Sequence, residues 1–249
     1  MEGTICHKKY CVGSKTIATG FYELFWIYVI CGIAGFCIET VWCWIDFQEF
    51  TSRTSNLFFP ISCVWGFGGV ILCIGMERNR WEHWAYLFVK CVILGTVFEF
   101  ICGYLGERLL EVTFWDYSGM PLHMGKYINL PFCVVWGLTG VLWVKRVHPF
   151  LKEKLSRGKG RLTGTGCRFF IIFMVVTQVL TGTALLRMHG RQEGLEPSNT
   201  FEYVLDSCFT DQGLQTFFPK MKNVFTGEKI YQESEEIVES INISETKSR

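Results

Sequence analysis

The sequence predicts an all-α polytopic membrane protein of about five transmembrane helices, arranged as two parallel helical-hairpin repeats plus one added helix. Three observations predict this class. Apolar stretches cover Phe21 to Ile45, Leu57 to Met76, Trp84 to Leu105, Ile128 to Val144 and Phe169 to Leu186, and a bilayer crossing needs about 20 apolar residues, with roughly 17 as the floor. Two of these stretches carry a glutamate at the same place, in Gly35-Phe36-Cys37-Ile38-Glu39 and Gly95-Thr96-Val97-Phe98-Glu99. Each is followed by a matched string: Pro60, Val64, Trp65, Gly66, Gly69 and Val70 recur in register as Pro131, Val135, Trp136, Gly137, Gly140 and Val141. Two crossings per unit give both copies one orientation, hence parallel repeats about an axis along the membrane normal.

The elements follow in order. Residues 1–20 read as a cytoplasmic tail, 21–76 as the first hairpin, 84–144 as the second hairpin with an outer loop, and 145–168 as a basic cytoplasmic loop. Residues 169–187 read as the fifth helix and 188–249 as an outer tail. The first apolar stretch is too long for the core of a cleaved signal peptide and reads as a retained signal anchor. Pro60 and Pro131 are expected to open their spans, because the first helical position has no use for an amide hydrogen. In the tail, Asn199 with Glu202 three residues on resembles a capping box and predicts a short helix. The last twenty residues are acidic and polar and read as loosely ordered.

Charge distribution sets the expected orientation. Of the chain, 19% is charged, below the roughly 25% usual in soluble proteins. Lys8, Lys9, Lys15, Arg78, Arg80 and the cluster from Lys145 to Arg168 fall on one side, against Arg53, Arg108 and Lys126 on the other. By the positive-inside rule the N-terminus is cytoplasmic and the C-terminus outside, in a multi-pass cell-membrane protein. Net charge is +1, which offers no nucleic-acid footprint. Of the twelve cysteines, most lie within the apolar stretches and read as small packing residues rather than a disulfide framework. Cys6, His7 and Cys11 lack the spacing of a zinc site.

A carboxylate in a membrane helix costs about 2.5 to 3.5 kcal/mol on insertion scales, so Glu39 and Glu99 are the leading candidates for a ligand or proton site. Residues four apart share a helix face, which puts Gly35 beside Glu39 and aligns Gly95, Glu99 and Gly103. Trp65 and Trp136 fall at the same depth by helical rise. The structural alternative is that an indole N–H from the neighbouring hairpin binds each glutamate and fixes packing. The long second connection, Phe114-Trp115-Asp116-Tyr117-Ser118 through Lys126, lies outside and above this layer and reads either as a lid over it or as a plain interfacial anchor. Trp115, Asp116, Tyr117, His123 and Arg53 complete the candidate set, suited to a polar or amphiphilic ligand. No phosphate loop, nucleophile elbow or zinc-protease motif is present. No cofactor or metal is expected, and catalytic residues are not assigned.

GxxxE in the first span, WGFG at Trp65 to Gly68, GxxxE in the third span, WDYS at Trp115 to Ser118, GK before an apolar span and WG at Trp136-Gly137 together resemble the bacterial membrane proteins called putative ABC-transporter type IV. The resemblance runs from about Phe21 to about Phe225, with WDYS its most specific part. It departs at Pro60-Ile61-Ser62-Cys63-Val64-Trp65, where the family has a proline-tyrosine-glycine pattern. The resemblance implies a permease partnered by a separate ATPase. The expected partners are therefore membrane lipid, an ATPase subunit and a second copy of the chain. Two other classes stay open: an intramembrane enzyme acting on lipid or envelope precursors, with Glu39 and Glu99 as acid and base, and a structural or regulatory subunit.

Overall fold

The computed structural model describes residues 20–47, 51–158, 163–219 and 221–223. The segment holding Cys6, His7 and Cys11, part of the basic loop, and the acidic segment from Glu228 lie outside the described residues.

The chain is all-α, with helices α1 (Phe21–Phe47), α2 (Cys63–Met76), α3 (Trp84–Leu110), α4 (Leu130–Leu142), α5 (His148–Arg157), α6 (Thr165–Gln192), α7 (Thr200–Cys208) and α8 (Asp211–Phe217). Helices α4 and α5 are joined through a single π turn, Trp143–Val147, into one rod. Among the described residues four helices are long and apolar enough to cross a membrane: Phe21–Ile45, Trp84–Leu110, Leu130–Arg157 and Thr165–Gln192. The expected second span differs from these four. Helix α2 has 14 residues, about 21 Å at 1.5 Å per residue.

That shortening has a local cause. Pro60 disfavours helical backbone at Phe59, and the turn before it is fixed by Asn56 Oδ1, which accepts from the amides of Phe58 at 2.8 Å and Phe59 at 3.1 Å. The helix therefore starts at Cys63 rather than at Pro60. The preceding extended segment is packed inside, with Asn56 and Ile61 almost wholly buried. Irregular backbone at such a place must find partners within the protein. Helix α6 supplies them: Thr181 Oγ1 accepts from the Leu57 amide at 3.2 Å, Gln178 Nε2 donates to the Ser55 carbonyl at 3.1 Å, and Asn56 Nδ2 donates to Thr177 Oγ1 at 3.1 Å. On the α1 side the Ser62 amide donates to the Gly32 carbonyl at 3.0 Å.

Helices α1 and α2 pack antiparallel, as do α3 and α4. The glycines of each hairpin are seats for particular side chains. A Cβ on Gly35 would lie 2.0 Å from Trp65 Cγ, and one on Gly95 would lie 2.5 Å from Trp136 Cγ. Likewise Gly66 takes the Tyr28 ring and Gly137 the Phe88 ring, while Gly69 takes Cys31 and Gly140 takes Cys91. Small residues at these points let the backbones approach closely.

The π turn follows from Pro149. Proline offers no amide to the carbonyl four residues back and its ring crowds that carbonyl, and a wide turn relieves both. The result brings Trp143 and His148 inward together, stacked with centroids 5.9 Å apart, and sets His148 Nε2 3.2 Å from Cys73 Sγ. At this end Lys145 donates to the carbonyls of Arg80 and Glu82, Lys152 pairs with Glu77, and Lys90 pairs with Glu82 at 2.7 Å.

At the opposite end the tail folds back onto α6. Arg187 pairs with Asp206 at 2.5 Å, and Arg191 pairs with both Asp206 and Asp211. Asn199 caps α7 through the Glu202 amide at 2.9 Å, while Glu202 reaches back to the amide of Ser198 at 2.7 Å. Strand β1 (Val112–Thr113) pairs antiparallel with β4 (Lys222–Asn223), and β2 (His123–Met124) pairs antiparallel with β3 (Ile128–Asn129). Buried Val112, Leu185, Met188, Leu214, Phe218 and Met221 form a small core beneath.

Two outcomes test this packing. Gly95→Ala should destabilise the protein by about 1–3 kcal/mol, because a Cβ must displace the closely packed, half-buried Trp136 ring. Gly119→Ala, which enters open space, should leave the melting temperature in detergent unchanged. The Asp206 carboxyl is held below its ordinary range first by the Arg187 hydrogen bond, so its contribution is complete above the unfolded value of about 3.9 and is lost as pH falls through the lower folded value. Limited proteolysis should accordingly release the tail in acid below about pH 4, and Asp206→Asn should release it at neutral pH.

Candidate carboxylate layer and cavity

The glycine seats orient their rings toward the carboxylates. With its ring over Gly35, Trp65 directs its indole N–H to Glu39 Oε1 at 2.6 Å; with its ring over Gly95, Trp136 donates to Glu99 Oε2 at 3.0 Å. The expectation that the indole comes from the neighbouring hairpin is corrected here: each tryptophan serves the glutamate of its own hairpin. The reason is helical spacing. Residues four apart stack on one face, so a ring lying on the glycine from the paired helix points its N–H at the carboxylate one turn further. The two tryptophans then stack on each other between the hairpins, centroids 6.4 Å apart at 29°.

The second oxygens are engaged differently. Glu39 Oε2 takes Arg53 Nε at 3.1 Å. Glu99 Oε1 takes the Tyr117 hydroxyl at 2.8 Å, and Glu99 is only 6% exposed. Among the described residues Glu99 is in no ion pair. Burial first, then the Glu99 charge and the hydrogen bond to it, push the Tyr117 phenol far above the ordinary tyrosine range. It stays protonated and donating at any physiological pH.

A third seat of the same kind is present. A Cβ on Gly103 would lie 2.7 Å from the Tyr127 ring, and Tyr127 donates its hydroxyl to Glu107 Oε2 at 2.5 Å. Glu107 also accepts from Thr113 at 2.7 Å and pairs with Lys126 at 2.6 Å. This cluster gathers both ends of the connection between α3 and α4. The spacing Gly103 to Glu107 repeats GxxxE in the sequence, and that signal alone could have identified it.

Beneath the connection lies a cavity of about 620 Å³, bordered by the 52–55 segment, α2, α3, α6 and the tail. Glu39, Arg53, Glu99, Tyr117 and Gln178 provide its polar border. Trp115 also lines it, and its buried indole N–H has no hydrogen-bond partner among the described residues. The remaining candidates lie elsewhere. Asp116 is exposed and closes an Asx turn on Ser118, accepting from its amide at 2.9 Å and hydroxyl at 2.6 Å. That hydroxyl bond is the first cause of its lowered carboxyl pKa. His123 is exposed on the β2–β3 hairpin, with Nδ1 2.8 Å from the Met120 carbonyl. Thr177, Gln178 and Thr181 on α6, absent from the sequence candidates, form a polar seam with Asn56 and Leu57 of the extended segment, and Gln178 and Thr181 line the cavity.

Long apolar helices around a hydrogen-bonded carboxylate layer, with Glu99 buried and Glu39 half-buried, define a polytopic α-helical membrane protein with a polar interior. Residues 26–182 match the family described as putative ABC-transporter type IV; the chain belongs to this family and is a transport-related membrane protein. No curated protein and no solved structure matches the chain.

Substitution at Glu99 separates shape from charge. Glu99→Leu strands both the Tyr117 hydroxyl and the Trp136 N–H, each at about 1–3 kcal/mol, and should lower stability markedly. Glu99→Gln keeps an acceptor for one donor and should stay folded at normal abundance, as read by thermal unfolding in detergent.

Proposed function

We propose that the chain is the membrane subunit of a transport system, working with a separate ATPase, and that the Glu39–Glu99 layer engages what is moved. The observation that carries this reading is the cavity bordered by Glu99, a buried carboxylate with two hydrogen-bond donors and, among the described residues, no cation. A carboxylate held at that cost for packing alone would need only its two neutral donors, whereas the adjoining space gives it access to a ligand or proton.

Two further features support the reading. The three pairs of matching glycine contacts in the two hairpins favour two copies of one unit, and a layer built from both copies is the usual position of a transport site. At the far end, the loop from Glu77 to His83 is tied to the π turn and α5 by Lys145 and Lys152, which joins the two inner loops into one surface that an ATPase would contact. The basic residues gathered there favour a cytoplasmic position for that surface, with the carboxylate layer, the α3–α4 connection and the tail toward the outside. A second copy of the chain would complete a path.

Capture of the intact protein from native membranes should recover a nucleotide-hydrolysing subunit, and reporters fused at Gly119 should register the outer compartment. In a strain lacking the gene, wild-type protein should restore whatever phenotype the deletion causes, whereas Glu99→Gln at equal abundance should not. Full restoration by Glu99→Gln contradicts the role given to the layer. Capture without any such subunit contradicts the partnership.

A further inference from the structure

We infer that the cavity binds an aliphatic amphiphile with an ammonium head, its head at Glu99 and its chain along α3. This deepens the transport reading by naming the class of molecule at the same site, and it rests on that reading only for the step of movement.

The shape of the cavity separates head from chain. Val97, Ile101 and Leu105 recur at four-residue spacing along α3, line the cavity, and are nonetheless 51%, 46% and 44% exposed. Across from them on α2, Phe67 also lines the cavity and is 52% exposed. A wall that is both cavity lining and outer surface is an opening to the side. In a membrane that side faces hydrocarbon, so an apolar chain can enter from the bilayer without passing through water. The volume lies within the roughly 300–1,000 Å³ of small-molecule sites.

The head is specified by charge. Around the polar border the carboxylates are Glu39 and Glu99, and the cation is Arg53, which Glu39 holds. Arg53 is taken by Glu39, so the Glu99 carboxyl has a phenol and an indole as its donors and no cation among the described residues. A third donor with a full positive charge complements it, as charge-assisted hydrogen bonds to carboxylates are the stronger ones. A fatty-acid carboxylate head is disfavoured by the same charge count.

The test is a series of simple probes on the purified full-length protein in nanodiscs of neutral lipid, read by the melting temperature from tryptophan fluorescence. Dodecylamine should raise it saturably. Dodecanol should do so only at about tenfold higher concentration, given the missing charge, and dodecanoate should not raise it. Ethylamine, which has the head without the chain, should give no shift at the same concentration. In Glu99→Gln the advantage of the amine over the alcohol should disappear. In Val97→Phe, which narrows the side opening and leaves the carboxylates untouched, the response to both should fall, so the claim stays testable even where Glu99→Gln unfolds. Equal response to amine, alcohol and carboxylate, or an equal shift with ethylamine, overturns the inference. So does an unchanged amine preference in Glu99→Gln, or an unaltered response in Val97→Phe. Because the readout is binding, a failure here is distinct from failure to recover an ATPase or to observe a Glu99-dependent phenotype.

Discussion

Putting a carboxylate inside a helical bundle costs several kcal/mol unless its oxygens find donors, and the rest of this structure is arranged around meeting that demand three times. The device is the same at Glu39, Glu99 and Glu107. A glycine one turn earlier clears a place for an aromatic ring, and the ring directs its N–H or O–H to the carboxylate. At Glu39 and Glu99 the ring belongs to the paired helix, so the bond also sets the helix register within each hairpin. At Glu107 the ring belongs to the connection between α3 and α4, so the same bond anchors the cover above the cavity.

From this constraint the asymmetry between the halves becomes intelligible. Glu39 is matched by Arg53 from the short connection and is neutralised locally. Glu99 is instead met by Tyr117 from the longer connection, which donates a hydrogen bond and no charge. The two connections differ in length, and that difference leaves the second half with an uncompensated carboxylate beside open space. The proposed role therefore falls on Glu99 ahead of its counterpart.

Much of this was legible in the sequence because the repeated motifs carried it. GxxxE occurring twice, each with a matched WG, located the glutamates and tryptophans at one depth, and helical spacing placed them on inward faces. Other parts depend on partners that periodicity does not reveal. Glu107 has the GxxxE spacing, but its donor Tyr127 lies in a connection rather than in an apolar stretch. The seam of Thr177, Gln178 and Thr181 reads as ordinary polar punctuation in α6 until the extended segment around Asn56 is seen to need hydrogen bonds. Asp116 and His123 carry functional residue types, yet their local bonds belong to turns. Pro60 and Pro131 look equivalent in sequence, and the turn at Asn56 delays the start of α2 to Cys63.

The central claim is that the indole–carboxylate bond, and not ring packing alone, fixes the second hairpin around a functional Glu99. A double-mutant cycle of Trp136→Phe and Glu99→Leu tests it most directly, since phenylalanine keeps the ring on Gly95 and removes only the N–H, while leucine removes the acceptor. Unfolding free energies of the wild type, both single variants and the double variant should give a coupling energy of about 1.5–3 kcal/mol, the range of a hydrogen bond to a charged group. Strictly additive effects would contradict the account.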